Sequence, residues 1–106
     1  MKVIAGTKQP ELRKKDDRYE VYDLELEDFT LSSTYLNQEK STTGHSHDWE
    51  EAYYIIKGQG RILVGSNMKE IRAGDIIIIP GGDFHRVFND SCPKLVFLCV
   101  FRRNDA

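Results

Sequence analysis

The chain has 106 residues, of which 40% are hydrophobic and 30% are charged, and its formal net charge is -2. This length predicts a single domain over residues 1–106, long enough to bury a core without disulfide bonds. The small negative charge supplies no basic surface for nucleic acid or anionic lipid, so neither is an expected partner.

Residues 1–20 are predicted to form a charged amino-terminal arm and the first strand. The opening MKVIAGTKQP has too few consecutive apolar residues for a secretion signal or a membrane span, which predicts a cytoplasmic location without membrane association. Two cysteines are too few for a disulfide framework. Cys99 lies in the apolar run LVFLCVF and is expected to be a small buried side chain, and neither it nor Cys92 is expected to be catalytic.

The rest of the chain is typical of an all-β domain. Short runs rich in Ile, Val, Tyr, Phe and Thr alternate with Gly, Pro, Asn and Asp, and no ten-residue window has a clear helical stripe. The predicted strands are VYDLEL, FTLSSTYLN, GHSH, EAYYIIKG, GRILVG, KEIRA, DIIIIP, HRVFN and KLVFLCVF. Short strands joined by tight turns predict a β-sandwich or barrel.

Two of these strands are apolar on both faces. Residues 76–79 and 95–101 do not alternate between apolar and polar side chains, so neither face of either strand is suited to water. A homodimer that covers one of these faces is the simplest expectation for so small a chain.

Two of the three histidines are separated by a single residue. Side chains at i and i+2 of a strand point to the same face about 7 Å apart, so His45 and His47 can approach one metal ion. The same alternation favours Glu51 over Glu50 as an inward oxygen ligand, with Tyr53 also inward. A single histidine in a strand is more often structural, which is the alternative for each of them.

The segments GHSHDWEEAYYIIKG and GDIIIIPGGDFHRVFN resemble the two signature motifs of the cupin superfamily, HxH(x3)E(x6)G and G(x5)PxG(x2)H(x3)N. Glu39 stands where the first motif usually has a further glycine. The resemblance covers residues 30–100 and implies a small antiparallel double-stranded β-helix, or jelly-roll, barrel. It also implies one divalent metal ion held by His45, His47, Glu51 and His85. Three imidazoles and one carboxylate suit Mn, Fe, Ni or Co and are acceptable to Zn.

The reaction is less constrained, because one fold supports many chemistries. The runs STTGHSH and EAYYIIKGQG resemble elements of cupin-type glucose-6-phosphate isomerases. This resemblance implies sugar isomerase or epimerase-like chemistry on a small-molecule substrate, with Glu51 and Tyr53 as the catalytic candidates. The alternatives are an iron-dependent dioxygenase, a metal-dependent lyase or decarboxylase, and a non-catalytic metal-loaded barrel that binds a small ligand.

Further residues near the motifs are weaker candidates for lining the pocket. Tyr35 could line it, with packing in the core or in a dimer as the alternative. Arg61, Arg86 and Lys57 are candidates for anion binding. Asn89 is expected to be a turn residue.

Overall fold

A computed structural model describes residues 1–5, 10–90 and 92–102 of the chain. The regular structure of these residues consists of β-strands, which confirms the predicted all-β class. The strands are β1 (Glu11–Lys15), β2 (Tyr19–Glu25), β3 (Phe29–Asn37), β4 (Glu51–Lys57), β5 (Gln59–Val64), β6 (Asn67–Arg72), β7 (Ile76–Ile79), β8 (His85–Phe88) and β9 (Lys94–Arg102).

The strands form two antiparallel sheets. A six-stranded sheet has the order β1-β2-β3-β9-β4-β7, and a three-stranded sheet has the order β6-β5-β8. Only Gly58 separates β4 from β5, so the chain passes directly from one sheet to the other. Gly58 has a φ of 90°, and a Cβ there would lie 2.6 Å from the Lys94 carbonyl oxygen. Glycine is therefore required at this crossing.

The core lies on the inner faces of the two sheets. Alternate residues of β3 and β9 are buried, as expected for strands that have one face inward. Leu36, Ile55 and Leu95 are 0% exposed, and Ile62 and Val87 of the smaller sheet belong to the same cluster. The core is therefore built from both sheets.

Strand β1 lies within residues 1–20, which were predicted to hold a charged arm and the first strand. Its backbone pairs with β2, and opposite charges meet across the pair. Arg13 Nε lies 2.7 Å from Asp23 Oδ2, and Lys15 Nζ lies 3.4 Å from Glu20 Oε1. A strand at the edge of a sheet can be rich in charged residues. Alternation of apolar and polar residues therefore did not indicate the position of β1.

The predicted strand at GHSH is wrong. In this segment only His45 makes a β-bridge, which joins it to His85, and the chain bends at Asp48 and Trp49. Gly44 interrupts the extended backbone with a φ of 86°.

No helix among the described residues is long and apolar enough to cross a membrane. The cytoplasmic location stays a prediction.

Candidate metal centre

One loop and the first residue of β8 bring the three histidines together. His45 and His85 exchange backbone hydrogen bonds, with N···O distances of 3.1 Å and 2.9 Å. The backbone N–H of Gly82 donates to the carbonyl of His47. A Cβ at Gly81 would lie 2.5 Å from the Asp48 carbonyl oxygen. The turn that precedes β8 can therefore pack against the loop that carries His47 only if glycine occupies position 81.

The structure brings all four predicted ligands to one point. One ligand atom from each of His45, His47, Glu51 and His85 lies within 4.8 Å of every other. We call these four side chains the His–Glu cluster. Oε1 of Glu51 lies 3.0 Å from Nε2 of His47 and 3.2 Å from Nε2 of His85. Because Glu51 opens β4 and His85 opens β8, the cluster joins the two sheets.

Two buried atoms at the centre of the cluster lack hydrogen-bond partners among the residues that the structure describes. They are Oε1 of Glu51 and Nε2 of His85, whose side chains are 3% and 2% exposed. Nδ1 of His85 lies 3.1 Å from the carbonyl oxygen of Asp83, to which it can donate. That hydrogen bond would leave a lone pair on Nε2, pointing at the carboxylate. A carboxylate oxygen and an imidazole lone pair in mutual contact fit a shared cation.

The histidine pKa values differ in direction. Partial desolvation, followed by the nearby imidazoles of His85 and His47, lowers the pKa of His45 to about 4. Desolvation acts in the same direction on His85, but the Glu51 carboxylate and the Asp83 carbonyl outweigh it and raise the pKa of His85. His45 is therefore neutral near pH 7, which is the form that binds a metal ion.

A cavity of about 620 Å³ opens beside the cluster on the inner face of the six-stranded sheet. His45, His47, Glu51 and Tyr53 line it, and His85 is buried behind its wall. The ring of Phe101 also lines the cavity and stacks on His47, with ring centroids 6.2 Å apart. The cluster thus has an accessible side and a buried side.

Tyr53 and Cys99 face each other across β4 and β9 and both line this cavity. Tyr53 is 5% exposed, stacks on Phe97 and meets the His85 ring edge-on. Burial is the main cause that raises the pKa of each side chain well above its ordinary value. For Cys99 the next cause is the charge of Glu51, and for Tyr53 the next causes are Cys99 and Glu51. Both side chains are therefore protonated at neutral pH. The expectation that Cys99 is buried is met, but its position on the cavity wall was missed.

The weaker pocket candidates lie elsewhere. Tyr35 points to the opposite face of β3 from the buried side chains and packs edge-on against Tyr22. Arg61 pairs with Asp90, and Arg86 donates to the side chain of Ser41 and the carbonyl of Thr42. None of the three lines the cavity, and nor does Lys57. Asn89 is a structural residue, as expected: it is buried, and its amide nitrogen donates to the carbonyls of Leu36 and Cys92.

The sequence reasoning missed the cavity wall opposite the cluster. This wall comes from the first three strands and carries polar side chains: Arg13, Asp23, Thr30, Ser32 and Thr34. The hydroxyl-bearing residues occupy alternate positions of FTLSSTYLN, a signal visible in the sequence. Arg13 and Asp23 could not be found in this way, because only the pairing of β1 with β2 places them at the cavity.

Comparison with known proteins agrees with this architecture. The family model described as "Cupin domain" matches residues 33–101. Solved structures with the same fold include a predicted oxalate decarboxylase from Thermotoga maritima, at 22% identity and a TM-score of 0.81. That match covers 93% of this chain and 96% of the other. The polyketide cyclase RemF from Streptomyces resistomycificus is 23% identical with a TM-score of 0.79, and the match covers 96% and 79% of the two chains.

The curated relatives are longer proteins. An acireductone dioxygenase from Leishmania infantum is 33% identical over an alignment 111 positions long, which covers 93% of this chain and 30% of the relative. An uncharacterized protein from Sinorhizobium fredii is 40% identical over 52 residues, which cover 47% of this chain and 24% of that protein. The chain therefore matches about a quarter to a third of the length of these relatives.

Proposed function

Because the chain belongs to the cupin domain family, we propose that it binds one divalent metal ion through His45, His47, Glu51 and His85 and acts on a small molecule in the adjacent cavity. The observation that carries the proposal is the convergence of four ligand atoms within 4.8 Å, together with two buried atoms, Oε1 of Glu51 and Nε2 of His85, that have no hydrogen-bond partner among the described residues. A buried unpaired carboxylate oxygen is costly, and a bound cation would compensate it.

We favour dioxygenase chemistry on a substrate that presents two adjacent oxygens. The acireductone dioxygenase relatives support this choice, since an acireductone carries an enediol beside a carbonyl group. When bound, a divalent ion would supply a Lewis acid with open coordination positions, and iron would add the capacity to reduce O2. Mn, Ni, Co and Zn remain candidate ions for the other reactions.

The protein's own side chains would orient the substrate and exclude water. Tyr53 stays protonated, so its hydroxyl can donate a hydrogen bond to a substrate oxygen but cannot act as a resting base. Phe97 and Phe101 supply apolar wall beside it. The catalytic roles of Tyr53 and of Glu51 stay predictions, as do the sugar isomerase, lyase or decarboxylase and non-catalytic alternatives.

Metal content tests the site that all of these alternatives share. Untagged protein prepared without chelator should contain close to one divalent ion per chain by elemental analysis. Glu51→Gln removes the carboxylate ligand and should lower the metal content at least tenfold. Glu50→Gln is the matched control, because it makes the same change at the neighbouring exposed residue and should retain the ion. Equal metal content in all three proteins would refute the site.

Oxygen uptake then tests the reaction. Iron-loaded protein should consume O2 in the presence of an acyclic enediol ketone, and the Glu51→Gln variant should not. Isomerisation of sugars by the Mn, Ni or Zn form without O2 uptake would instead support the isomerase prediction. Metal binding without turnover of any such substrate would support a ligand-binding barrel.

A further inference from the structure

The strand register aligns a row of cavity-lining residues that runs from Tyr53, beside the His–Glu cluster, to Asp23 at the other end. Asp23 pairs with Ser32, Ser32 with Cys99, and Cys99 with Tyr53, and all four residues line the cavity. The adjacent row of paired residues ends at Glu51. Neighbouring strands lie about 4.8 Å apart, so Asp23 and Tyr53 are separated by about 14 Å measured along the curved sheet. A molecule held at the cluster could extend along this row toward Asp23.

Only one of the two carboxylate oxygens of Asp23 has a partner among the described residues. Its Oδ2 lies 2.7 Å from Nε of Arg13, and its side chain is 16% exposed. Its Oδ1 is buried and has no hydrogen-bond partner among the described residues. A buried carboxylate oxygen without a donor is unfavourable, and such an oxygen can only accept hydrogen bonds. Asp23 lines the cavity at the end away from the cluster, so its carboxylate has unused acceptor capacity there.

The surroundings of Asp23 favour a neutral donor over a cationic one. Arg13 already balances the charge of the carboxylate, so a ligand needs no positive charge to bind there. The neighbouring Thr30, Ser32 and Thr34 are at most 5% exposed, and their hydroxyls can donate and accept. An ionised carboxylate on the ligand has no hydrogen to donate to Oδ1 of Asp23.

We infer that Asp23 determines substrate specificity by accepting a hydrogen bond from a hydroxyl group on the ligand end that lies away from the His–Glu cluster, with Ser32 continuing the same row. The ligand class is a metal-chelating small molecule with a hydroxylated tail. This inference rests on the proposed function, since the cluster must hold the other end of the ligand.

Two probes with the same chelating head test the inference. Ascorbate has an enediol beside a carbonyl and a side chain with two hydroxyl groups, whereas reductic acid has the enediol and carbonyl without that side chain. Their dissociation constants are measured by calorimetry under anaerobic conditions on protein loaded with zinc, so that no turnover occurs. The parent protein should bind ascorbate more tightly than reductic acid.

Asp23→Ala should weaken ascorbate binding about tenfold or more and change reductic acid binding by less than about twofold, as expected for loss of one hydrogen bond to a charged group. Glu20→Ala is the matched control, since it truncates another β2 carboxylate that does not line the cavity. Ser32→Ala removes only a hydroxyl from the same row and should reduce the same preference if Asp23→Ala does not fold.

Each outcome decides a different point. If the parent binds both probes equally, or if neither variant alters the preference for ascorbate, the role of Asp23 is overturned while the proposed function stands. If neither probe binds the zinc-loaded parent, the proposed function fails, and the inference that rests on it fails too. Loss of the ascorbate preference in Asp23→Ala, with the Glu20→Ala control unchanged, supports the inference.

Discussion

The inner and outer faces of the six-stranded sheet depart from ordinary surface rules in opposite ways. The inner face carries the buried side chain of Glu51 and the partly buried side chain of Asp23. Each has a buried oxygen without a hydrogen-bond partner among the described residues. The outer face exposes apolar side chains, including Ile76 at 66% and Ile78 at 57%. Buried unpaired polar atoms indicate a missing ligand, whereas an exposed apolar surface indicates a missing partner.

The exposed apolar residues are contiguous. Ile76 pairs with Tyr54 and Ile78 with Ala52, and the same two β4 residues pair with β9 on their other side. We call this surface, formed by Ala52, Tyr54, Ile76, Ile78, Leu98 and Val100, the outer apolar face. Strand β7 is also an edge of its sheet. We propose that a second copy of the chain covers this face, in keeping with the homodimer expected from the sequence.

The difference between the inner and outer faces can be tested first through the free energy of unfolding, on which we expect the largest effect. Ile55 is fully buried on the inner face of β4, and Ile56 follows it with 46% exposure. Ile55→Ala should lower the free energy of unfolding by about 2–5 kcal/mol, because it removes buried methyl groups and leaves a cavity. Ile56→Ala, the same change one residue later, should cost less than about 1 kcal/mol. Denaturant titration of both variants measures the difference, and equal costs would contradict the assignment of the two faces.

The sequence predicts the cluster better than the cavity, for physical reasons. The His–Glu cluster was predicted because its four residues belong to sequence motifs with fixed spacing. The prediction of the cluster holds even though GHSH is not a strand. Asp23 was missed, because its place beside the cavity depends on pairing between strands, which no local pattern encodes. The position of strand β1 was not predicted, because its stability comes from pairing with β2 and from cross-strand charges.

The proposed covering of the outer apolar face leads to a second, smaller effect. The double change Ile76→Lys with Ile78→Lys places two charges on this face and should convert a dimer into a monomer with little change in the fold. Sedimentation over a range of protein concentrations measures the change. Met68→Lys is the control, since Met68 is 44% exposed on the other sheet and should leave association unchanged. A parent protein that stays monomeric at every concentration would rule out the dimer.

The smallest effect is expected at a charged turn that belongs to neither face. Asp16 lies between β1 and β2 and accepts hydrogen bonds from the side chain and backbone N–H of Arg18. The side-chain hydrogen bond, partly opposed by desolvation, contributes most to lowering the pKa of Asp16 from 3.8 to about 2. A carboxyl group with a lowered pKa in the folded state stabilises the protein above its ordinary pKa, and this contribution is lost as the pH falls through about 2.

Asp16→Asn should therefore reduce stability slightly at pH 7, and the difference between variant and parent should shrink between about pH 4 and pH 2. Asparagine retains an oxygen that can accept from the backbone N–H, so the substitution tests the charge rather than the turn. Paired denaturation curves at several pH values measure this difference directly. A difference that stays constant as the pH falls would mean that the charge of Asp16 contributes nothing. The effect would then come from replacing one carboxylate oxygen by an amide nitrogen, which cannot accept the hydrogen bond from the Arg18 side chain.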